Sequence, residues 1–243
     1  MFSRTYIPYK STTAHPSIHS PMRRLFYHIF KISILQTLWF NFKYLPFMTA
    51  IRLPVYIYHR TILGQTKGKI VIDAEHIRHG MIKIGLAFLK NTDAVYNRTI
   101  WQQEGTIVFH GPCNLGRGVK ITVEKDGVLK LGSRTTLTGN STILCRKAIT
   151  VGNDCMISWD VLLMDNDAHT ILNDQKVKIN PDKPIHIGNH VWIGCRSILL
   201  KGVEIGDDTV IAACSTLSRS FHEEHEIIGG LNKVLHQNVT WEL

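Results

Sequence analysis

Along the second half of the chain, hydrophobic residues recur neither every second position nor at the helical period, but every sixth. In VWIGCRSILLKGVEIGDDTVIAACS, residues 191–215, the interval carries Ile193, Leu199, Ile205 and Ile211. The series also takes in Leu115, Ile121, Leu131, Leu137, Ile143, Val151, Ile157, Leu163, Ile187 and Leu217. Four positions after such residues stand Val119, Thr135, Ser141, Cys155, Val161, Val191, Ser197, Val203, Thr209 and Ser215, all small or β-branched. An internal repeat of this kind marks a solenoid. Strands of about two residues alternate with corners, three hexads close one turn, and turns stacked about 4.8 Å apart pair their backbone groups. The aliphatic residue points inward and the small residue fits the crowded corner. The pattern therefore predicts a mainly β fold, a three-sided parallel β-helix.

A larger period sets the expected frame. Leu115-Gly116, Val151-Gly152, Ile187-Gly188 and Ile205-Gly206 are 36, 36 and 18 residues apart, all multiples of eighteen. The coil at Leu131 begins two residues early. Between Val151 and Ile187 lies one coil's worth of extra residues, and the small-residue position after Leu163 becomes Asp167. This predicts a loop near 167–184, DAHTILNDQKVKINPDKP, extruded at a corner. Long loops on regular scaffolds are usually functional.

The first 72 residues differ in kind. No Asp or Glu precedes Asp73, whereas ten of the 28 Lys and Arg do, with 13 of the 21 aromatic residues. The stretch 32–51 is long enough to span a bilayer, but Asn41, Lys43 and Pro46 point to a buried or interfacial helix instead. Basic residues scattered singly among Phe, Tyr, Leu and Ile lack the density that tracks phosphates, which argues against nucleic acid. They suit either a helical cap on the main domain or peripheral contact with an anionic membrane. Residues 1–21 read as a loose tail, with Met22 as an alternative start. The expected divisions are a partly helical N-terminal segment (1–72), the β-helix (73–220) and a C-terminal tail (221–243). Five cysteines without a CxxC pair read as free thiols of a reducing, cytoplasmic compartment.

Candidate chemistry gathers in LLMDNDAHTIL, residues 162–172. Asp165, Asp167 and His169 alternate, so an extended chain points all three the same way. An ordinary imidazole, with a pKa of ~6.5, takes a proton from a hydroxyl near neutral pH. A carboxylate on its other nitrogen fixes the tautomer, and Asp167, Asp165 and Asp160 all compete for that role.

The hexads, VWIG (191–194) and the His-bearing loop resemble the hexapeptide-repeat acyltransferases. The branch of maltose and galactoside O-acetyltransferases and of capsule- and lipopolysaccharide-modifying O-acetyltransferases is the most similar. The resemblance covers roughly residues 105–243, and LWFNFKYLPF (38–47) and NVTWEL (238–243) look like the capsule branch. It implies a left-handed coil, although the general rule for crossovers favours the right hand. It also implies acetyl-CoA as co-substrate, a sugar or polysaccharide hydroxyl as acceptor, His169 as general base and a homotrimer with grooves between prisms. A backbone N–H at Gly194 or Cys195 would hold the oxyanion. Trp192, Cys195, Ala213, Ser218, Arg219 and Lys233 would line the cofactor groove, and Trp159 and Asp160 would face the acceptor. Two departures stand out: Ala212-Ala213-Cys214 replaces the family's usual Gly-Ala-Gly, and GGLNKVL (229–235) lacks the usual proline. No metal is expected. A zinc site from His169, His186 and His190 is the lesser alternative, since those positions differ in the hexad. A non-catalytic scaffold is the other, separated from the enzyme reading by whether the protein binds CoA.

Overall fold

The computed structural model describes residues 31–86, 93 and 96–242, so the expected tail and Met22 lie outside the described residues. Contacts divide the chain into Met1–Lys31 and Ile32–Leu243, and the fold is that of the second unit. Three sheets of almost wholly parallel strands form its sides, and the chain visits them in strict rotation. The first sheet stacks Val55–Ile57, Ile82–Leu86, Cys113–Gly116, Thr135–Leu137, Met156–Ile157, Trp192–Ile193, Val210–Ile211 and Ile227–Gly229. The second runs from Thr61–Thr66 through Thr99–Gln103, Lys120–Val123, Thr142–Cys145, Leu162–Met164 and Ile198–Leu200 to Thr216–Leu217. The third holds Lys69–Ile72, Thr106–Phe109, Val128–Leu131, Ala148–Val151, Ile185–Ile187 and Glu204–Ile205. An antiparallel strand, Lys233–His236, closes the first sheet.

The six-residue pattern is the core. Every aliphatic residue of the series from Leu115 to Leu217 is at most 2% exposed, and so is every small residue four positions on. Each turn thus buries two side chains per side in columns that run the length of the prism.

The expected frame of eighteen holds only near the C-terminal end. Ile193 stacks on Ile211, but Leu115 stacks on Leu137, 22 residues on, and Leu137 on Ile157, twenty residues on. Leu115 therefore belongs to the first sheet and Val151 to the third. Their separation of 36 is a coincidence, produced by four-residue strands and a wide turn that Gly127 N–H closes on Glu124 O at 2.8 Å. The coils also begin at Val55, inside the stretch that the charge pattern sets apart as N-terminal. Strand Lys69–Ile72 already pairs in parallel with Thr106–Phe109.

Helix Ile34–Tyr44 caps the N-terminal end of the prism. Among the described residues no strand pairs with the outer edge of Val55–Ile57; Ser33, just before the helix, donates its N–H to Ile57 O at 2.8 Å, and two polar helix residues supply the rest of the ladder. Asn41 Nδ2 donates to Val55 O at 2.7 Å and Asn41 Oδ1 accepts from Val55 N–H at 3.1 Å. Thr37 Oγ1 accepts from Ile57 N–H at 3.0 Å. An open sheet edge inside the fold would leave these groups unsatisfied. Phe40, between them on the same face, meets Trp101 edge-on at 5.6 Å.

Candidate active site

The extra residues leave the prism where expected, between Leu162–Met164 on the second sheet and Ile185–Ile187 on the third. The alternation of Asp165, Asp167 and His169 is broken on the way. Asn166 Oδ1 accepts from Ala168 N–H at 2.9 Å, and Ala168 takes a left-handed conformation, φ 61°. That turn sends the three side chains in different directions. Asp165 is fully buried and accepts from the N–H groups of Arg146 and Lys147, each at 2.8 Å, and from Asn166 Nδ2 at 3.0 Å. Asp167 accepts from Lys201 Nζ and, at 2.8 Å, from Asn180 Nδ2. Asp160 faces Arg196 at 3.9 Å on another corner. His169 is exposed, and among the described residues no side chain hydrogen-bonds to its ring.

Asn180 organises the loop, and nothing in the repeat singles it out. It is 8% exposed, accepts from Ile171 N–H at 2.7 Å and donates to both Asp167 and the His169 carbonyl, the latter at 2.8 Å. Beyond it the loop is a small hairpin: Leu172 bridges Lys178, and Asn173 Oδ1 accepts from Gln175 and Val177 N–H. Its apolar side chains, Ile171, Leu172, Val177 and Ile179, are all more than half exposed.

Lys201, then Asn180, hold the Asp167 carboxyl below its usual 3.8. A depressed pKa means that the ionised form stabilises the folded loop above the ordinary carboxylate value. That contribution is lost as pH falls through the lowered one. We expect the amide resonances of residues 166–171 to shift together as pH drops below about 4, and Lys201→Met to move that transition up toward the ordinary carboxylate range. Resonances that stay fixed in the wild type through that range would refute the pairing.

The residues expected to line the cofactor groove, and Trp159 and Asp160 expected to face the acceptor, divide between two edges. Trp159, Cys195 and Ala213 stack in successive coils at the corner between the first and second sheets. They are tied by Arg196 N–H to Trp159 O at 3.0 Å and Cys214 N–H to Cys195 O at 2.8 Å. The next residue in each coil, Asp160, Arg196 and Cys214, lies in the left-handed region at φ 58–59°. Cys214 therefore occupies a position that glycine fills without strain. Gly194 N–H is committed to Ile211 O at 2.7 Å, while among the described residues Cys195 N–H has no acceptor. Trp192, on the adjoining first-sheet strand, donates to Ser158 Oγ at 3.1 Å and lies 6.0 Å from Trp241 of the C-terminal tail. Trp241 stacks on His190 at 4.4 Å, and His190 Nδ1 lies 2.7 Å from Asp208 Oδ1.

Ser218 and Arg219 stand on the other edge, between the second and third sheets, where the His169 loop leaves. Asn232 ties them down: its Oδ1 accepts from Ser218 N–H at 2.8 Å and its carbonyl from Arg219 Nη2 at 2.8 Å. Lys233 follows, exposed, on the closing strand. The proline-free GGLNKVL is thus a tight hairpin, with Gly229 opposite Lys233. Among the described residues no cluster of three His, Cys, Asp or Glu side chains is placed to hold a metal ion; His186 lies on the third sheet and His190 on its corner with the first.

Residues 184–219 match the family model described as bacterial transferase hexapeptide (six repeats). Within that stretch the chain resembles the repeats of that family. Around them it is 31% identical over 123 residues to a polysialic acid O-acetyltransferase of Escherichia coli O1:K1 / APEC, covering 50% of this chain and 40% of that protein. It is 33% identical over 87 residues to a polysialic acid O-acetyltransferase of Neisseria meningitidis, covering 35% of this chain and 40% of that one. The chain thus spans about two fifths of the length of these curated relatives. The crystal structure of the polySia-specific acetyltransferase NeuO superposes with a TM-score of 0.53 at 21% identity, covering 76% of this chain and 89% of that one. This likeness shows the fold, and the hexapeptide coil is left-handed.

Proposed function

We propose that the protein is an O-acetyltransferase that moves acetyl from acetyl-CoA to a hydroxyl of a sugar or surface-polysaccharide precursor in the cytoplasm. The observation that carries the reading is the placement of His169: an exposed imidazole without a side-chain partner among the described residues, on a loop that Asp167, Asn173 and Asn180 hold in place. Such a ring is free to take a proton from an acceptor hydroxyl. The hydroxyl oxygen bonds the acetyl carbon, the carbon–sulfur bond breaks, and the proton passes from the imidazolium to the departing sulfur. Cys195 N–H, without an acceptor among the described residues, is the candidate donor to the carbonyl oxygen as it gains charge. Relatives named as O-acetyltransferases of polysialic acid support the substrate class.

The site is built between subunits of a homotrimer. Within one chain the His169 loop and the Trp159–Cys195–Ala213 column lie on opposite margins of the second sheet. A neighbouring prism brings the column of one chain to the loop of the next. The exposed Ile171, Leu172, Val177 and Ile179 give that loop an apolar surface suited to burial against a neighbour. Arg219 and Lys233 are the cations available to phosphates at the C-terminal end. Trp159, in the column, and Asp160, next to it, would meet the acceptor.

Titration calorimetry with CoA and acetyl-CoA tests the reading. Micromolar binding at one site per chain, in a sample that sediments as a trimer, is the expected result. A folded protein that binds neither would leave the scaffold reading in its place.

A further inference from the structure

The cap helix is amphipathic in the reverse sense. Thr37, Phe40, Asn41 and Tyr44, at i, i+3, i+4 and i+7, face the prism, and two of these four are polar residues consumed by the edge of strand Val55–Ile57. On the opposite side Leu35, Leu38, Trp39 and Phe42 repeat the same spacing, all exposed, at 82%, 39%, 45% and 47%. A stripe at this spacing is ordinarily the buried one. Helix Phe47–Ala50 extends it: Phe47 and Met48 are each 67% exposed, Ile51 is 46% exposed, and the Phe42 and Phe47 rings lie 6.0 Å apart. Five large apolar side chains of the first helix, counting Ile34, and three from the second region thus form one outward face. A contiguous apolar surface of this kind marks an interaction site.

Its charge identifies the partner. Lys43 lies over the Trp39 ring at 4.8 Å, Arg52 and Arg60 are exposed nearby in the chain, and no Asp or Glu occurs before Asp73. A copy of the same face would meet it with like charges, and the chain beyond residue 72 is close to neutral, with 18 basic and 19 acidic residues. Nucleic acid would want denser cations and fewer aliphatic side chains. Aromatic and aliphatic side chains rimmed by Lys and Arg suit the boundary between acyl chains and anionic headgroups. Among the described residues no helix is long and apolar enough to cross a membrane.

We propose that the outward face of Ile34–Tyr44 and Phe47–Ile51 docks the protein on an anionic lipid surface, at the end of the prism where the coils begin. This inference is independent of the acetyltransferase reading and survives its failure. The full-length protein is sedimented with vesicles of phosphatidylcholine alone and of phosphatidylcholine with phosphatidylglycerol. Binding to the second, weak binding to the first, and release by salt are expected. Leu35→Ser/Phe42→Ser/Phe47→Ser, all outward, should weaken binding about tenfold or more with the melting temperature kept. Lys43→Glu/Arg52→Glu should erase the preference for anionic lipid. Vesicle binding unchanged by both variants would overturn the proposal. So would an absence of vesicle binding, whether the triple variant then loses self-association, which assigns the face to a second copy, or binding to single-stranded nucleic acid.

Discussion

Alanine in place of His169 is expected to lower acetyl transfer by about 10²–10⁴-fold, the usual contribution of a positioned general base, with acetyl-CoA affinity kept. The split follows from the geometry. His169 stands on the extruded hairpin, and its contacts to the rest of the loop pass through its backbone: the carbonyl accepts from Asn180 and the N–H donates to Asp167 O at 2.6 Å. Truncating the ring leaves both bonds in place, so the loop keeps its shape. His186→Ala, on the outer side of the third sheet, is the control and should leave turnover unchanged. Mixing two inactive variants carries the test further. His169→Ala retains the corner column, and Ala213→Trp blocks that column while retaining the loop. If each site combines the loop of one chain with the column of another, mixed trimers regain part of the activity that neither variant has alone. Wild-type turnover in His169→Ala would sink the catalytic assignment. Loss without recovery on mixing would confine the site to one chain.

How much of this could be read from residues alone depends on which interactions are periodic. Burial inside a coil repeats with every turn, so Leu115 through Leu217 announced the prism and its inward columns. The phase of the early coils did not show, because a wide turn such as Glu124–Gly127 changes coil length without disturbing the aliphatic positions on either side. The loop was visible as a break in the repeat and His169 as its chemically distinctive residue. Its internal wiring was hidden. Alternation of Asp165, Asp167 and His169 holds only for an extended chain, and the Asn166–Ala168 turn ends that condition within two residues. A helical cap is among the readings the sequence offers, but its attachment is hidden for a related reason: Thr37 and Asn41 look like ordinary polar positions until the strand edge they complete is known. Trp192, Cys195 and Ala213 are named only through the resemblance, since small residues at corners are required by packing whether or not a ligand follows.

Asp165 gives the clearest separation between a structural and a catalytic carboxylate. Its Oδ1 and Oδ2 each take one backbone N–H, from Arg146 and Lys147, at the corner of the preceding coil, and Oδ1 also takes Asn166 Nδ2. The side chain thus pins the start of the extruded loop to the coil beneath it, and Lys183 N–H returns to Asp165 O at 3.1 Å where the loop rejoins the prism. Hydrogen bonds to a charged acceptor contribute more than neutral ones, and removing the acceptor strands both corner amides. Asp165→Ala should therefore cost about 2–4 kcal/mol of stability, read as a melting temperature lower by roughly 5–15 °C for a protein of this size. Asp165→Asn should fall between, because its amide oxygen still accepts one N–H while its NH₂ group faces the other. Both variants should lose activity only in step with the fraction folded, and measurements well below the melting temperature should return most of the turnover. The opposite result, an Asp165→Asn protein that melts like the wild type but has lost its turnover, would mean that this carboxylate swings to His169 during the reaction and that its bonds to the corner are not what keeps it there.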